Sequence, residues 1–143
     1  MKARLLVALA TASIGTIAHA GDKIETYPAK DVIEDPQYAA KLAGVTFYFG
    51  STPTPAVIRS FGETRTNKKT NGFGKSHATS CHIVMASALI GLAADARARG
   101  GDAVINIKSN FKNNLTVSNT DFTCGVGALI SGVALVGEVV KTR

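Results

Sequence analysis

The residues best suited to chemistry are the only two cysteines of the chain, Cys81 and Cys124. Neither belongs to a Cys-x-x-Cys motif, and neither has a second thiol nearby in the sequence, so a catalytic dithiol is disfavoured. Two cysteines in an oxidising compartment usually pair. We therefore predict a structural disulfide between Cys81 and Cys124, with a redox or metal-binding pair as the alternative.

Two histidines beside Cys81 suggest a weaker alternative, a metal site. His77 and Cys81 are four residues apart and would share one face of a helix. With Cys124 they would supply the nitrogen and sulfur ligands that zinc prefers. His82 points about 100° away from Cys81 on a helix, and a disulfide would consume both sulfurs. The site formed by His77, Cys81 and His82 is therefore the weaker hypothesis, and we predict neither a metal nor a cofactor.

The sequence carries no recognisable catalytic motif. It has three histidines, and it contains neither a paired-carboxylate motif nor a Gly-x-Ser-x-Gly elbow. The phosphate-binding pattern G-x-x-x-x-G-K-[ST] is also missing. We therefore predict that the protein is not an enzyme.

A basic segment, Thr64–Lys75, is the candidate contact surface. Its cationic side chains are Arg65, Lys68, Lys69 and Lys75. The segment is rich in turn-forming residues, which predicts an exposed connection between a strand and a helix. These four side chains would either contact an anionic surface or protect the neighbouring apolar strands from aggregation.

The first 20 residues have the properties of a secretory signal. Lys2 and Arg4 precede an uncharged and mainly apolar run, Leu5–Ile17, and Ala18 and Ala20 are the small residues that a signal peptidase reads. The run is too short to span a bilayer core of about 30 Å comfortably. We expect cleavage near Ala20, giving a periplasmic or secreted chain without a transmembrane span.

Loss of this leader would leave a modestly basic chain. Lys plus Arg falls from 16 to 14 because Lys2 and Arg4 are removed, Asp plus Glu stays at 10, and the net charge falls from +6 to +4. Nucleic acid is not expected as a partner of an exported protein. The charge instead favours anionic surfaces such as lipid head groups or cell-wall polymers.

Apolar periodicity predicts one α+β domain over residues 21–143, with a mainly antiparallel sheet and one long helix packed on one face. Residues 21–56 would hold the first strand, Val45–Phe49. Residues 57–143 would form a strand–helix–strand–strand core. The disulfide would join the helix of this core to a later strand.

Local signals place the boundaries of the long helix and the following strand. Ser76 is the expected N-cap of a helix over Ser76–Arg99, and Gly100 is its expected left-handed C-cap. The next strand, Ala103–Phe111, alternates apolar and polar residues. One predicted face holds Ile105, Ile107 and Phe111, and the other holds Asn106, Lys108 and Asn110. Thr120–Val140 is expected to form a long bent strand or two strands.

Three motifs in this half of the chain resemble a known family. They are S-A-L-x-x-L-x-x-x-A (87–96), G-x-x-A-V-x-x-I (100–107) and G-V-A-L-x-G-x-V-V-K (132–141). Together they resemble the YbjQ-like superfamily of small α+β domains, sometimes described as heavy-metal-binding. The paired cysteines are similar to those of the envelope-stress sensor lipoprotein of the Rcs phosphorelay. The chain also resembles small exported proteins labelled "excinuclease ATPase subunit".

The resemblance implies an exported, non-enzymatic binding or envelope-sensing module. The sensor family is lipid-anchored and has four cysteines, whereas this chain has two and none at the predicted leader junction. An excinuclease would need a phosphate-binding loop and a cytoplasmic address, so that role is not supported. The expected partner is an envelope protein or an anionic envelope component, with self-association left open. The alternative is a periplasmic metal-binding protein.

Overall fold

Residues 22–143 are described by a computed structural model, and the predicted leader lies outside them. They form a curled sheet of seven strands with one long helix on one face. The strands are β1 (Lys23–Pro28), β2 (Thr46–Phe49), β3 (Val57–Asn71), β4 (Ala103–Phe111), β5 (Asn114–Thr116), β6 (Asp121–Val126) and β7 (Ile130–Thr142). The helices are α1 (Lys30–Ile33), α2 (Ala39–Leu42) and α3 (His77–Arg99). The predicted α+β class is confirmed.

Strand β7 is the centre of the sheet. Along one edge it pairs with β3 over its whole length. Its other edge pairs first with β6 and then with β4. Outside these, β1 pairs with β6, while β2 and β5 pair with β4. Among the described strands every pairing except β2 with β4 is antiparallel.

Helix α3 begins and ends as its sequence predicts. The Ser76 side chain accepts a hydrogen bond from the backbone N–H of Thr79 at 3.1 Å, which satisfies a free donor of the first turn. Gly100 closes the helix with a φ of 85°, a conformation that glycine adopts without steric cost. The buried side chains of α3 pack on β3 and β7.

By length and composition α3 could also cross a membrane. Half of its most apolar 18-residue stretch is buried inside the fold. Core residues of the sheet, among them Val133, Leu135 and Val139, lie in the same cluster as the helix. This packing is typical of a core helix.

Strand β3 corrects the prediction for the basic segment. Thr64–Lys75 was expected to be an exposed connection, but β3 continues through it to Asn71. The hydroxyl of Thr64 donates to Asp95 of α3, and Thr66 lies against Gly91. Pairing with β7 and contact with the helix therefore outweigh the turn-forming composition. The N-terminal segment likewise contains β1, although its sequence pattern predicted only the later strand β2.

A bulge in β4 corrects the predicted faces of that strand. Asn106 has a φ of 53°, and the pairing with β7 shifts register between Ile105 and Lys108. Ile107 consequently lies in the main core, whereas Ile105 packs with Ala103 and Val140 on the other face. The prediction that Ile105 and Ile107 share a face is wrong, because one extra residue reverses the alternation.

Phe111 explains why a glycine is needed in β6. Cys124 faces the helix through its disulfide, so the next residue, Gly125, faces the opposite side of the sheet. A Cβ atom at Gly125 would lie 2.0 Å from Cζ of Phe111. The aromatic ring therefore occupies the space of the missing side chain.

We expect Gly125→Ala to displace this ring and to lower the free energy of unfolding by about 1–3 kcal/mol, as overpacking usually does. The matched control is Gly72→Ala, whose added Cβ would meet its nearest atom at an ordinary 3.5 Å. Urea unfolding followed by circular dichroism measures both. Equal stability of the two variants would contradict this role of Phe111.

Candidate functional site

The helix-free face of the sheet carries a groove lined by basic, amide and apolar side chains, here called the helix-free groove. Its two adjoining sections have volumes of about 440 and 330 Å³ and share Arg65 and Asn110. A further section of about 360 Å³ continues from Lys112 towards β6. The basic and amide side chains that line it are Arg65, Asn67, Lys69, Asn106, Lys108, Asn110, Lys112 and Asn113.

Alternation in β3 and the bulge in β4 position these side chains. Because Thr64 and Thr66 face the helix, the residue between them, Arg65, faces the groove. On β4, the bulge at Asn106 places Lys108 on this same side of the sheet, opposite the buried Ile107. Asparagine tolerates the left-handed conformation better than most residues. The bulge therefore lies in the groove, and it places polar side chains of β4 on the same face of the sheet as those of β3.

The charges of the groove are only partly compensated. Arg65 forms an ion pair with Glu63, and Lys112 forms one with Asp22 at 2.9 Å. Within residues 22–143, neither Lys69 nor Lys108 takes part in an ion pair. Glu138, which accepts a hydrogen bond from Ser60, is likewise a carboxylate outside these ion pairs. The four cationic and three anionic side chains that line the groove therefore leave it a net charge of +1.

The structure divides the predicted contact residues between different surfaces. Arg65 and Lys69 line the helix-free groove. Lys68 lies on the helix side, with its Cε 3.5 Å from the Cβ position of Gly91. The ammonium of Lys75, in the turn before α3, donates to the Asn71 carbonyl at 3.2 Å.

The groove also holds two lysines outside the predicted set, Lys108 and Lys112. Lys108 carried a usable signal, because it belongs to the polar face predicted for β4. Lys112 lies in the turn between β4 and β5 with a φ of 51°. The position of Lys112 depends on the conformation of that turn, which the alternation of apolar and polar residues does not predict.

The predicted disulfide is present and joins α3 to β6. Cys81 and Cys124 are both fully buried, and their Cα atoms are 5.9 Å apart, within the usual range for a disulfide. Among residues 22–143 there is no free thiol. The bond lies next to β1, whose Glu25 pairs with Cys124 in the sheet.

A carboxylate cluster covers this junction. Glu25 accepts hydrogen bonds from the hydroxyl of Tyr27 and from Nδ1 of His77 at 2.9 Å, and Lys23 forms an ion pair with it at 3.1 Å. The bond from Tyr27, followed by those from His77 and Lys23, lowers the pKa of Glu25 from its ordinary 4.5 to about 2. The same bond raises the pKa of Tyr27 to about 12. The cluster therefore links β1 to the first turn of α3.

The residues of the weaker metal hypothesis have other contacts. Cys81 is in the disulfide, and His77 is bonded to Glu25. His82 lies edge-on to Tyr27, with ring centroids 5.7 Å apart. Residues 22–143 contain no group of three or more histidine, cysteine, aspartate or glutamate side chains arranged to hold a metal ion.

Comparisons with known proteins found no match to any protein-family model, any curated protein or any solved structure. The helix-free groove can bind and orient an anionic or hydroxyl-rich molecule through ammonium, guanidinium and amide groups.

The lowered pKa of Glu25 predicts an acid-dependent contribution to stability. A carboxylate whose folded-state pKa lies below its unfolded value stabilises the fold above the unfolded pKa, and this effect is lost as the pH falls through the folded pKa. We expect Glu25→Gln to destabilise the protein most above pH 4.5, with the difference from wild type shrinking between 4.5 and about 2.

Urea unfolding at a series of pH values measures that difference. Glu34→Gln is the control, because it removes an exposed carboxylate at the end of α1 without touching the cluster. A deficit in Glu25→Gln that is the same at every pH would contradict the assignment.

Proposed function

We propose that the protein is an exported, non-enzymatic binding module whose helix-free groove takes an anionic component of the cell envelope. The observation that carries this proposal is the net positive charge of a groove that contains several asparagines and two lysines, Lys69 and Lys108, outside the ion pairs of residues 22–143. Asparagine amides both donate and accept hydrogen bonds, so they suit hydroxyl-rich ligands. A sulfated or phosphorylated glycan combines that chemistry with negative charge.

The extended shape of the groove supports a polymer rather than a compact ligand. Its sections run along β3 and β4 and continue towards β6, sharing lining residues from one to the next. Lysines at separated points along such a groove would contact successive anionic groups. Each ion contact alone would be weak in water, so affinity would come from several together.

The buried disulfide supports a location outside the cytoplasm. Disulfides persist in oxidising compartments and are rare in the cytosol. Together with the leader-like pattern ending at Ala20, this favours a periplasmic or secreted protein. The resemblance of the cysteine pair to that of the Rcs sensor lipoprotein supports sensing as the purpose of binding.

The test is binding of fluorescent dextran sulfate, with neutral dextran of the same length as the reference. We expect the wild type to bind the sulfated polymer with an affinity that falls as salt is added. Lys69→Ala combined with Lys108→Ala should weaken binding about five- to thirtyfold, because each lost ion contact contributes roughly 0.5–1 kcal/mol.

The matched control is Lys30→Ala combined with Lys41→Ala, which removes the same charge from the exposed surfaces of α1 and α2. This variant should bind like the wild type. An equal loss of affinity for dextran sulfate in both double variants would show that the polymer is attracted by the net charge of the protein alone. That result, or equal binding of neutral and sulfated dextran, would contradict a specific groove.

A further inference from the structure

One end of the sheet exposes large apolar side chains, here called the apolar tip: Phe73, Leu129 and Ile130. They are 75%, 56% and 49% exposed, respectively. Phe73 belongs to the turn between β3 and α3, and Leu129 ends the turn between β6 and β7. Single exposed apolar residues are ordinary, but a group of them at the end of two adjacent turns indicates a contact surface.

Backbone hydrogen bonds hold these two turns together. The N–H of Gly72 donates to the carbonyl of Leu129 at 2.7 Å, and Asn71 pairs with Ile130 at the end of the β3–β7 ladder. The N–H of Phe73 donates to the Asn71 side chain at 2.8 Å. The apolar tip is thus presented by a connected backbone, so little ordering would be needed for it to bind.

Basic side chains surround the apolar tip. Lys75 follows Phe73 and is held to the Asn71 carbonyl, while Lys69 pairs with Gly132 two residues from Ile130. On the other side, Lys23 pairs with Val126 just before the β6–β7 turn. The nearby carboxylates are already compensated, Asp22 by Lys112 and Glu25 by a cluster that includes Lys23. Because Lys23 offsets Glu25 and Lys112 offsets Asp22, the positive charge that remains around the tip is that of Lys69 and Lys75.

The N-terminal part of the chain joins the sheet at this same end. Strand β1 begins at Lys23, and the Asp22 carboxylate lies 3.0 Å from the Cβ position of Gly127 in the β6–β7 turn. The residues before Asp22 therefore connect to the sheet beside the apolar tip.

We propose that the apolar tip docks into the surface of an anionic lipid bilayer. Aromatic and aliphatic side chains on a basic surface bind at the level of the head groups, where the apolar groups leave water and the lysines meet lipid phosphates. A second copy of the chain is a poorer occupant, because two facing tips would bring their lysines together. Lys69 and Ile130 also line the end of the helix-free groove, so the docking is tested at Phe73, Leu129 and Lys75, which lie outside its lining.

The test uses the exported form of the protein, with its N-terminal residue identified by mass spectrometry. Co-sedimentation measures binding to vesicles of equal parts phosphatidylglycerol and phosphatidylcholine, compared with phosphatidylcholine alone. We expect preferential binding to the anionic vesicles. Phe73→Ser combined with Leu129→Ser should lower it at least about tenfold, because two apolar side chains no longer leave water.

Replacing Lys75 by glutamine should also lower binding to the anionic vesicles, by about fivefold, since each lysine near such a surface contributes roughly a factor of five. The matched controls act at the other end of the sheet. Ile58→Ser removes an apolar side chain that is 58% exposed, and Lys30→Gln removes a lysine beyond the end of β1. Both controls should bind like the wild type.

Melting temperatures of all variants, measured by circular dichroism, confirm that they are folded when compared. The proposal is overturned if the wild type fails to bind anionic vesicles or binds both lipid compositions equally. It is also overturned if the tip variants lose no more affinity for anionic vesicles than the control variants do. Sedimentation that shows a dimer abolished by Phe73→Ser would assign the tip to a second copy and would overturn it too.

Discussion

The covalent bond between Cys81 and Cys124 is the constraint on which the arrangement of the molecule depends. It fixes the start of α3 to β6, near the point where β6 meets β7. Closing a loop with a sequence separation of 43 stabilises the fold by about 4 kcal/mol through chain entropy alone. With α3 held on one face, the opposite face of the sheet stays open and forms the helix-free groove.

Features set by local sequence could be predicted. The helix over Ser76–Arg99 follows from one N-capping hydroxyl, an apolar periodicity and one left-handed glycine, all acting within a few residues. The strand Ala103–Phe111 follows from its β-branched and alternating residues, and its bounds are confirmed. The cysteine pair was predictable because only one pairing exists.

Features set by distant partners could not be predicted. The basic segment after Thr64 forms a strand only because β7 supplies a ladder along its whole length. The bulge at Asn106 depends on register with β7, and it alone decides that Ile105 and Ile107 separate. For the groove, Arg65 and Lys69 could be identified by their charge. That they line the same groove as Lys108 and Lys112 depends on how the strands are arranged in the sheet, which the sequence does not reveal.

The most direct test of this account is disulfide mapping of the exported protein. The chain is unfolded in urea, treated with an alkylating reagent without reductant, digested and analysed by mass spectrometry. The account predicts one crosslinked peptide pair containing Cys81 and Cys124, with neither sulfur alkylated until a reductant is added. Recovery of both cysteines in alkylated form without reductant would contradict it.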